Sequence, residues 1–290
     1  MPALHCGSKS VKNSNGYWLL VIGYRLMIDI ISSAQNPKVK LLLELQQKSS
    51  ERRKHGLFVV EGRREIERCW NRGYQIDTVF WCPEIFGPEE PQVDGARIFQ
   101  VSADIYNKVA YRGGTEGIIA EVVIKQPTLQ SLKLQKRPLV VVLESVEKPG
   151  NVGAILRSAD AANVDAVIVC DPQCDLYNPN IIRASVGAFF SVPTVACTSE
   201  ECIQWLKANG IQILTAQLQD SYYYYETNMS CATAIVMGTE ATGLTDKWRQ
   251  AADAHIKIPM LGIGDSLNVS VSAAILMFEA VRQRQQLPAL

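Results

Sequence analysis

A series of short, almost wholly apolar segments in the second half of the chain constrains the fold more than any other feature. Their apolar residues do not alternate with polar ones, so each segment is expected to be a strand buried on both faces. Helical patterns separate several of them, which is typical of a parallel sheet covered by helices on both sides. The sequence therefore predicts an α/β domain. The predicted strands are 139–146, 165–170, 192–197, 211–217, 232–238 and 255–260, and the predicted helices are 151–162, 181–189, 199–208 and 268–285.

The first half of the chain predicts a second, smaller α/β unit. Short strands alternate with helices from Pro37 onward, and the polar stretch 125–137 resembles a linker. No periodic pattern precedes Met27, so residues 1–26 are either an extension without regular structure or residues upstream of the true start. The predicted organisation is an N-terminal extension (1–30), a small domain (31–124), a linker (125–137) and the larger domain (138–290). The predicted strands of the small domain are 57–62, 76–82, 96–102 and 117–123, and its later helices are 63–71 and 103–110.

Composition places the chain among ordinary globular proteins. Apolar residues make up 47% and charged residues 20%. No apolar run approaches the ~20 residues that span a bilayer. The short apolar burst at 17–22 lacks the length and the cleavage site of a signal peptide. We therefore expect a cytoplasmic protein without a membrane partner.

The cysteines are numerous, but their spacing does not predict a metal site. The chain has 8 cysteines and 3 histidines, no CxxC pair, and no histidine near a cysteine pair. Reduced thiols in a cytosolic protein are the expected state. The sequence predicts neither a bound metal nor a cysteine nucleophile.

The charge is balanced overall but uneven along the chain. The formal net charge is +0, yet residues 33–75 hold ten Lys or Arg against five Asp or Glu. Local positive charge is what meets a phosphate backbone. A basic, solvated face of no special function explains the same excess.

Three polar segments follow predicted strands of the larger domain, where ligands of parallel sheets collect. They read EKPGNVGAILRSADA (147–161), VMGTEATGLT (236–245) and IPMLGIGDSLNVSVSAAILMFEAVRQ (258–283). In the first, Asn151 is expected to cap a helix that carries Arg157. Taken singly, each segment also has an ordinary structural explanation. The first fits a capped helix, the second a glycine-rich turn, and the third a buried terminal helix.

Together and in this order, the segments resemble the three signature motifs of the SpoU (TrmH-like) RNA 2′-O-ribose methyltransferases. The shared patterns are N-x-G-A-x-x-R, G-x-E-x-x-G-L and I-P-M-x(5)-S-L-N-V-S-x-S, and the resemblance covers about residues 137–285. The first half also resembles that family's L30e-like substrate-binding domain, through SSAQNPKVKLL, FVVEGRREI and GGTEGIIAEV. The resemblance implies a trefoil-knotted parallel-sheet (SPOUT) domain beside a smaller α/β domain. It also implies a homodimer and S-adenosylmethionine as cofactor.

The resemblance also implies the site residues. Arg157 ranks first among the catalytic set, as a clamp on a phosphate and on the developing alkoxide, because arginine is a poor base. The implied catalytic residues are Asn151, Arg157, Glu240, Asn268 and Ser270. The implied cofactor contacts are Thr215, Ala216, Gly238, Ile258, Met260, Leu267 and Asn268. The candidates for RNA binding are Arg52, Arg53, Lys54, Arg63, Arg64, Arg112 and Arg183.

Several alternatives remain at this stage. A non-catalytic RNA-binding or ribosome-assembly factor could keep this fold, although the intact polar set argues against it. A nucleotide-dependent oxidoreductase is disfavoured, because no G-x-G-x-x-G follows a strand. The SLNVS form of the third motif favours ribose over a base as methyl acceptor. The accessory domain favours ribosomal RNA over transfer RNA.

Overall fold

The computed structural model describes residues 9–12, 18–21, 29–111 and 116–285. Its strands form a two-stranded antiparallel pair, a five-stranded sheet and a seven-stranded sheet. The strands are β1 (Lys9–Lys12), β2 (Trp18–Val21), β3 (Asp29–Ile31), β4 (Leu57–Glu61), β5 (Ile76–Trp81), β6 (Arg97–Val101), β7 (Ile118–Val123), β8 (Leu139–Glu144), β9 (Ala166–Cys170), β10 (Thr194–Cys197), β11 (Gln212–Ala216), β12 (Tyr222–Tyr223), β13 (Thr233–Met237) and β14 (Ala254–Lys257). The helices are α1 (Pro37–Gln47), α2 (Ser49–His55), α3 (Arg63–Asn71), α4 (Pro83–Phe86), α5 (Ala103–Val109), α6 (Pro149–Ala161), α7 (Pro179–Ala184), α8 (Ala188–Ser191), α9 (Ser199–Ala208), α10 (Asp246–Ala251) and α11 (Val269–Gln285).

The larger sheet is wholly parallel, as the uninterrupted apolar strands predict. Its order is β10-β9-β8-β13-β11-β14-β12. Every residue of β8, β9 and β13 is buried, because helices cover both faces of the sheet. All six predicted strands are confirmed. The seventh, β12 (Tyr222–Tyr223), forms one edge of the sheet and was not among the predicted strands.

Two helix predictions for the larger domain were wrong in detail. The first helix begins at Pro149, so Asn151 lies inside its first turn and Lys148 occupies the capping position. Proline suits the first turn of a helix because its missing N–H has no intrahelical partner there. The helix expected over 181–189 is two helices, α7 and α8. Val186 and Gly187 separate them with φ values of 52° and 79°.

The smaller sheet has the order β3-β6-β5-β7-β4, with β7 antiparallel to both β4 and β5. The four strands predicted for this domain are confirmed. Two features of the region expected to be an extension were not predicted: the β1–β2 pair, and β3, which joins this sheet beside β6. Helices α1 and α5 pack on one face around Leu42, Leu45 and Tyr106.

The two sheets share a continuous core, so the two domains pack directly against each other. Phe58 of β4 contacts Tyr177 and Phe190 of the larger domain, with ring centroids 4.6 and 6.4 Å away. Arg68 of α3 donates to the carbonyl oxygen of Val186 at 2.5 Å. Within the described residues, no helix has the length and hydropathy needed to cross a membrane.

Candidate active site

The three polar segments meet at the carboxyl ends of β8, β13 and β14, with Glu240 at the centre. Asn151 Nδ2 donates to Glu240 Oε1 at 3.1 Å, and Asn268 Nδ2 donates to the same oxygen at 2.9 Å. Asn268 Nδ2 also lies 3.2 Å from Asn151 Oδ1. Residues distant in the chain thus form one hydrogen-bonded cluster. The three segments converge at one edge of the sheet, as predicted.

Ser270 extends this cluster into the first turn of α11. Its backbone N–H and its hydroxyl both donate to Asn268 Oδ1, at 3.0 and 2.6 Å. Asn268 therefore stands immediately before the helix and accepts from its first turn, as a capping asparagine does. The cap fixes the asparagine amide so that its Nδ2 points at Glu240.

Glu240 is held as a carboxylate. Lys148 Nζ donates to Glu240 Oε2 at 2.5 Å, and this hydrogen bond is the main cause that lowers the pKa of Glu240. The same contact raises the pKa of Lys148. A carboxylate with a lowered pKa is a weak proton acceptor, so Glu240 is better suited to orienting Asn151 and Asn268 than to acting as a base.

Arg157 lies on the third turn of α6 and is exposed. Among the described residues, its guanidinium has neither an ion pair nor a hydrogen bond to the cluster. Six residues along a helix correspond to a rise of about 9 Å, which separates Arg157 from Asn151. Four of the five predicted catalytic residues come together within this chain, whereas Arg157 stands apart from them.

A cavity of about 590 Å³ adjoins the cluster, a volume usual for a small-molecule site. Six of the seven predicted cofactor contacts line it: Ala216, Gly238, Ile258, Met260, Leu267 and Asn268. Thr215 does not line this cavity. It is fully buried within β11, and its Oγ1 lies 2.6 Å from His255 Nδ1. Alternate side chains of a strand point to opposite faces, so Thr215 and Ala216 do not share a surface.

Gly238 allows the second polar segment to form a tight backbone turn at the cavity wall. A Cβ atom at this position would lie 2.4 Å from the carbonyl carbon of Gly243 and 2.6 Å from the amide nitrogen of Leu244. Thr239 and Gly243 exchange backbone hydrogen bonds of 3.1 Å across the same turn. The glycine is therefore required by close backbone approach, and the turn presents its backbone to the cavity.

The predicted RNA-binding residues have different environments. Arg52 was an error. Its side chain is 3% exposed, pairs with Asp175 at 2.5 Å and donates to the carbonyl of Leu45, so it joins the two domains. Arg53, Lys54 and Arg64 are exposed, and Arg63 is exposed while stacking over the Phe86 ring. Arg112 lies outside the described residues.

Arg183 is exposed, but it borders a cavity of about 250 Å³ between the two domains. Three carboxylate residues, Glu61, Glu65 and Glu116, line the same cavity. Their negative charge repels a phosphate, so this position is a weaker candidate for the RNA backbone than Arg53 or Arg64.

Sequence reasoning missed two sets of functional candidates. Lys148 directly precedes the Pro-Gly-Asn turn of the first motif, and this adjacency was the available signal for its pairing with Glu240. Arg72, Lys125 and Lys133 join Arg53 along an interdomain groove of about 880 Å³. They are scattered over more than sixty residues of sequence, and only the docking of the two domains brings them together.

Comparison with known sequences and structures agrees with this geometry. Residues 138–278 match the SpoU rRNA Methylase family, and residues 36–120 match the MRM3-like substrate binding domain. A solved RNA 2′-O ribose methyltransferase is 38% identical, with a TM-score of 0.77 over 88% of this chain and 99% of that one. The chain belongs to the SpoU rRNA methylase family. The resemblance drawn from the three motifs and the accessory domain is confirmed.

Two further relatives of the SpoU family match this chain over almost their whole length. A 23S rRNA guanosine 2′-O-methyltransferase, RlmP of Bacillus subtilis, is 29% identical over 86% of this chain and 97% of its own. An AdoMet-bound rRNA methyltransferase from Sinorhizobium meliloti is 26% identical, with a TM-score of 0.81 over 90% of this chain and 99% of its own. The similarity therefore extends over both domains.

Proposed function

We propose that this SpoU family protein transfers a methyl group from S-adenosylmethionine to a ribose 2′-hydroxyl of ribosomal RNA. The observation that carries the proposal is the Asn151–Glu240–Asn268 cluster, which closes one side of a cavity of small-molecule size. A factor that only binds RNA has no need of such a cavity with an ordered polar wall. The relatives named above are rRNA and ribose methyltransferases, which favours the same substrate class.

The cavity suits the cofactor in its residues as well as in its size. The close turn at Gly238 leaves backbone atoms next to the cavity, and Ile258, Met260 and Leu267 add apolar surface for an adenine and a methylene chain. Asp265 also lines the cavity and offers a carboxylate to a cationic group. An AdoMet-bound relative shares this fold.

Bound S-adenosylmethionine would supply a methyl group whose transfer to a 2′-oxygen leaves a neutral thioether and releases one proton. The chain's own residues provide alignment and charge. Glu240 fixes the amides of Asn151 and Asn268, so that these amides hold the ribose edge. Arg157 donates its free guanidinium to the phosphate beside the target and stabilises the developing alkoxide.

We assign the RNA backbone to the exposed cations of the interdomain groove. Arg53, Arg72, Lys125 and Lys133 line it, and the Lys125 ammonium lies 4.0 Å from the centre of the Tyr74 ring. Cations that meet phosphates make binding depend on salt. Replacing Lys133 by Glu should weaken rRNA binding and flatten its salt dependence. Replacing Lys207, an exposed lysine on α9 outside the groove, by Glu is the matched control.

The proposal includes a homodimer and a trefoil knot. Exposed apolar side chains on and beside α11, Leu267, Val271 and Phe278, are 38%, 47% and 48% exposed. Val271 and Phe278 are seven residues apart and share one helical face next to the catalytic cluster. A second copy covering this face would bring its own Arg157 toward the cluster and complete the site. The knot is expected from the family, with the polar segments at Gly238 and Met260 as its loops.

The experiment that tests the proposed function compares acceptors. The full protein is incubated with labelled S-adenosylmethionine and either ribosomal or transfer RNA from cells lacking the gene. Cofactor binding is measured separately by calorimetry. We expect stoichiometric cofactor binding and label in ribosomal RNA. Label in transfer RNA alone would show that transfer RNA is the substrate instead of ribosomal RNA. Tight RNA binding without any methyl transfer would indicate a non-catalytic factor.

A further inference from the structure

Three cysteines from separate elements meet away from the catalytic cluster. The sulfur atoms of Cys170, Cys197 and Cys202 all lie within 4.8 Å of one another. Cys170 ends β9 and Cys197 ends β10, and the two are register partners on adjacent parallel strands. Cys202 comes from the first turns of α9, directly after β10. The spacing of these cysteines does not reveal the cluster, because strand pairing joins residues 27 positions apart.

We infer that Cys170, Cys197 and Cys202 form a binding site for one thiophilic closed-shell metal ion, Zn²⁺ or Cu⁺. Thiolate sulfur is the ligand that selects these ions over harder cations. Sulfurs bound to one zinc ion at about 2.3 Å stand roughly 3.8 Å apart. Because the three sulfurs already lie within 4.8 Å, each needs to move by less than about 1 Å.

The burial of the three thiols suits a metal site with an entrance. Cys170 and Cys202 are fully buried, whereas Cys197 is partly exposed. The open side at Cys197 gives an ion access, and it leaves room for a solvent molecule as fourth ligand of Zn²⁺. Cu⁺ is satisfied by three sulfurs. Within the described residues, no histidine or carboxylate joins the three sulfurs as a further ligand.

Electrostatics around the cluster favour a bound cation. The carboxylates of Asp171 and Glu201 place negative charge beside Cys197. A cation would offset that charge. On binding, each thiol gives its proton to solvent as its sulfur–metal bond forms, with no change of oxidation state.

The elements that carry the cysteines are fixed by a neighbouring polar layer. Ser199, at the start of α9, donates to Asp171 Oδ2 at 2.6 Å and accepts from Trp248 Nε1 at 3.0 Å. Glu144, the register partner of Cys170 on β8, accepts two hydrogen bonds from Thr245 at 2.9 and 2.6 Å. The ends of β8, β9 and α9 are therefore held in place before any ion binds, which lowers the cost of assembling the ligands.

The test uses the full chain, reduced, freed of metal by a chelator and titrated without oxygen. One arm adds Zn²⁺ and the other adds Cu⁺, each in competition with a chromophoric chelator, and native mass spectrometry counts the bound ions. We expect one ion per chain, release of protons, and protection of Cys197 from alkylation. Cys197→Ser should weaken binding by about 100-fold or more, since even outer partners of metal ligands contribute 10–100-fold.

Cys231→Ser is the matched control, because Cys231 is exposed and lies outside the cluster. It should bind the ion as the wild type does. Cys197 is the least buried of the three, so its serine variant is the one best able to fold, which circular dichroism checks. Alkylation of the wild-type protein supplies a readout that needs no variant. Failure of both ions to protect Cys197, or equal binding by Cys197→Ser and the wild type, would overturn the inference.

Discussion

Arg157 projects from α6 without an ion pair or a hydrogen bond among the described residues, whereas Glu240 is engaged by Lys148, Asn151 and Asn268. The two residues therefore have different parts in the proposed reaction. Glu240 organises the site in each chain. Arg157 is available to a phosphate, which a guanidinium binds with two parallel hydrogen bonds, or to the single oxygen of an alkoxide.

Replacing Arg157 by Ala should lower methyl transfer by at least about 100-fold, the typical effect of removing one donor from a developing oxyanion. Cofactor affinity should stay within about twofold, since Arg157 does not line the cavity. Arg157→Lys, which keeps the charge without the planar fork, should retain partial activity. Steady-state kinetics and calorimetry check this, and unchanged turnover in Arg157→Ala would remove the residue from the mechanism.

Glu121 makes the stability of the smaller domain depend on pH. It is fully buried in β7, neither carboxylate oxygen has a hydrogen-bond partner within the described part of the chain, and burial raises its pKa from 4.5 to about 7. As pH rises from 4.5 toward 7, the unfolded chain loses this proton while the folded chain keeps it. Burial of the Glu121 carboxyl therefore lowers the free energy of unfolding by up to about 3 kcal/mol between pH 4.5 and pH 7.

Glu121→Gln should abolish this dependence, because an amide does not titrate. Urea unfolding near pH 5 and near pH 8 measures it. The wild type should lose stability between the two values, and the variant should lose less. Glu67→Gln, at an exposed position of α3, is the control and should behave as the wild type does. An equal loss in wild type and Glu121→Gln would contradict the assignment.

At the scale of elements, the turn after β13 depends on one backbone position. Gly238→Ala would place a Cβ atom 2.4 Å from Gly243, so the turn must shift. We expect cofactor affinity to fall by at least tenfold. Gly262→Ala, in the loop after β14, meets nothing within 4 Å and is the matched control. Calorimetry with S-adenosylmethionine checks both, and equal affinities would show that this turn does not shape the cofactor site.

Sequence patterns predicted elements well where burial determines the structure. The apolar runs of β8, β9 and β13 fixed the parallel sheet, and three ordered motifs predicted the cluster around Glu240. The errors arose where contacts with neighbouring elements determine the local structure or the burial of a side chain. The pattern over 181–189 does not reveal the break at Val186. Arg52 has the composition of a basic surface helix, yet the docking of Asp175 against α2 buries it.

At the scale of the whole molecule, the shared core around Phe58, Tyr177 and Phe190 fixes the two domains and their basic groove. The partner copy is the missing part of the proposed assembly. Phe278→Glu should place a charge in the dimer interface and shift the protein to a monomer with little activity. Light scattering measures the mass. Ile30→Glu, 69% exposed in the smaller domain, is the control. A fully active Phe278→Glu monomer would refute the dimeric site.

The chemical identity of the methylated product distinguishes ribose methylation from methylation of a base. Unmodified ribosomal RNA is treated with the protein and S-adenosylmethionine, digested to nucleosides and analysed by mass spectrometry, with Arg157→Ala in parallel. We expect a 2′-O-methylated nucleoside with the wild type and at least about 100-fold less of it with the variant. A methylated base, or no methylated nucleoside from the wild type, would refute ribose methylation.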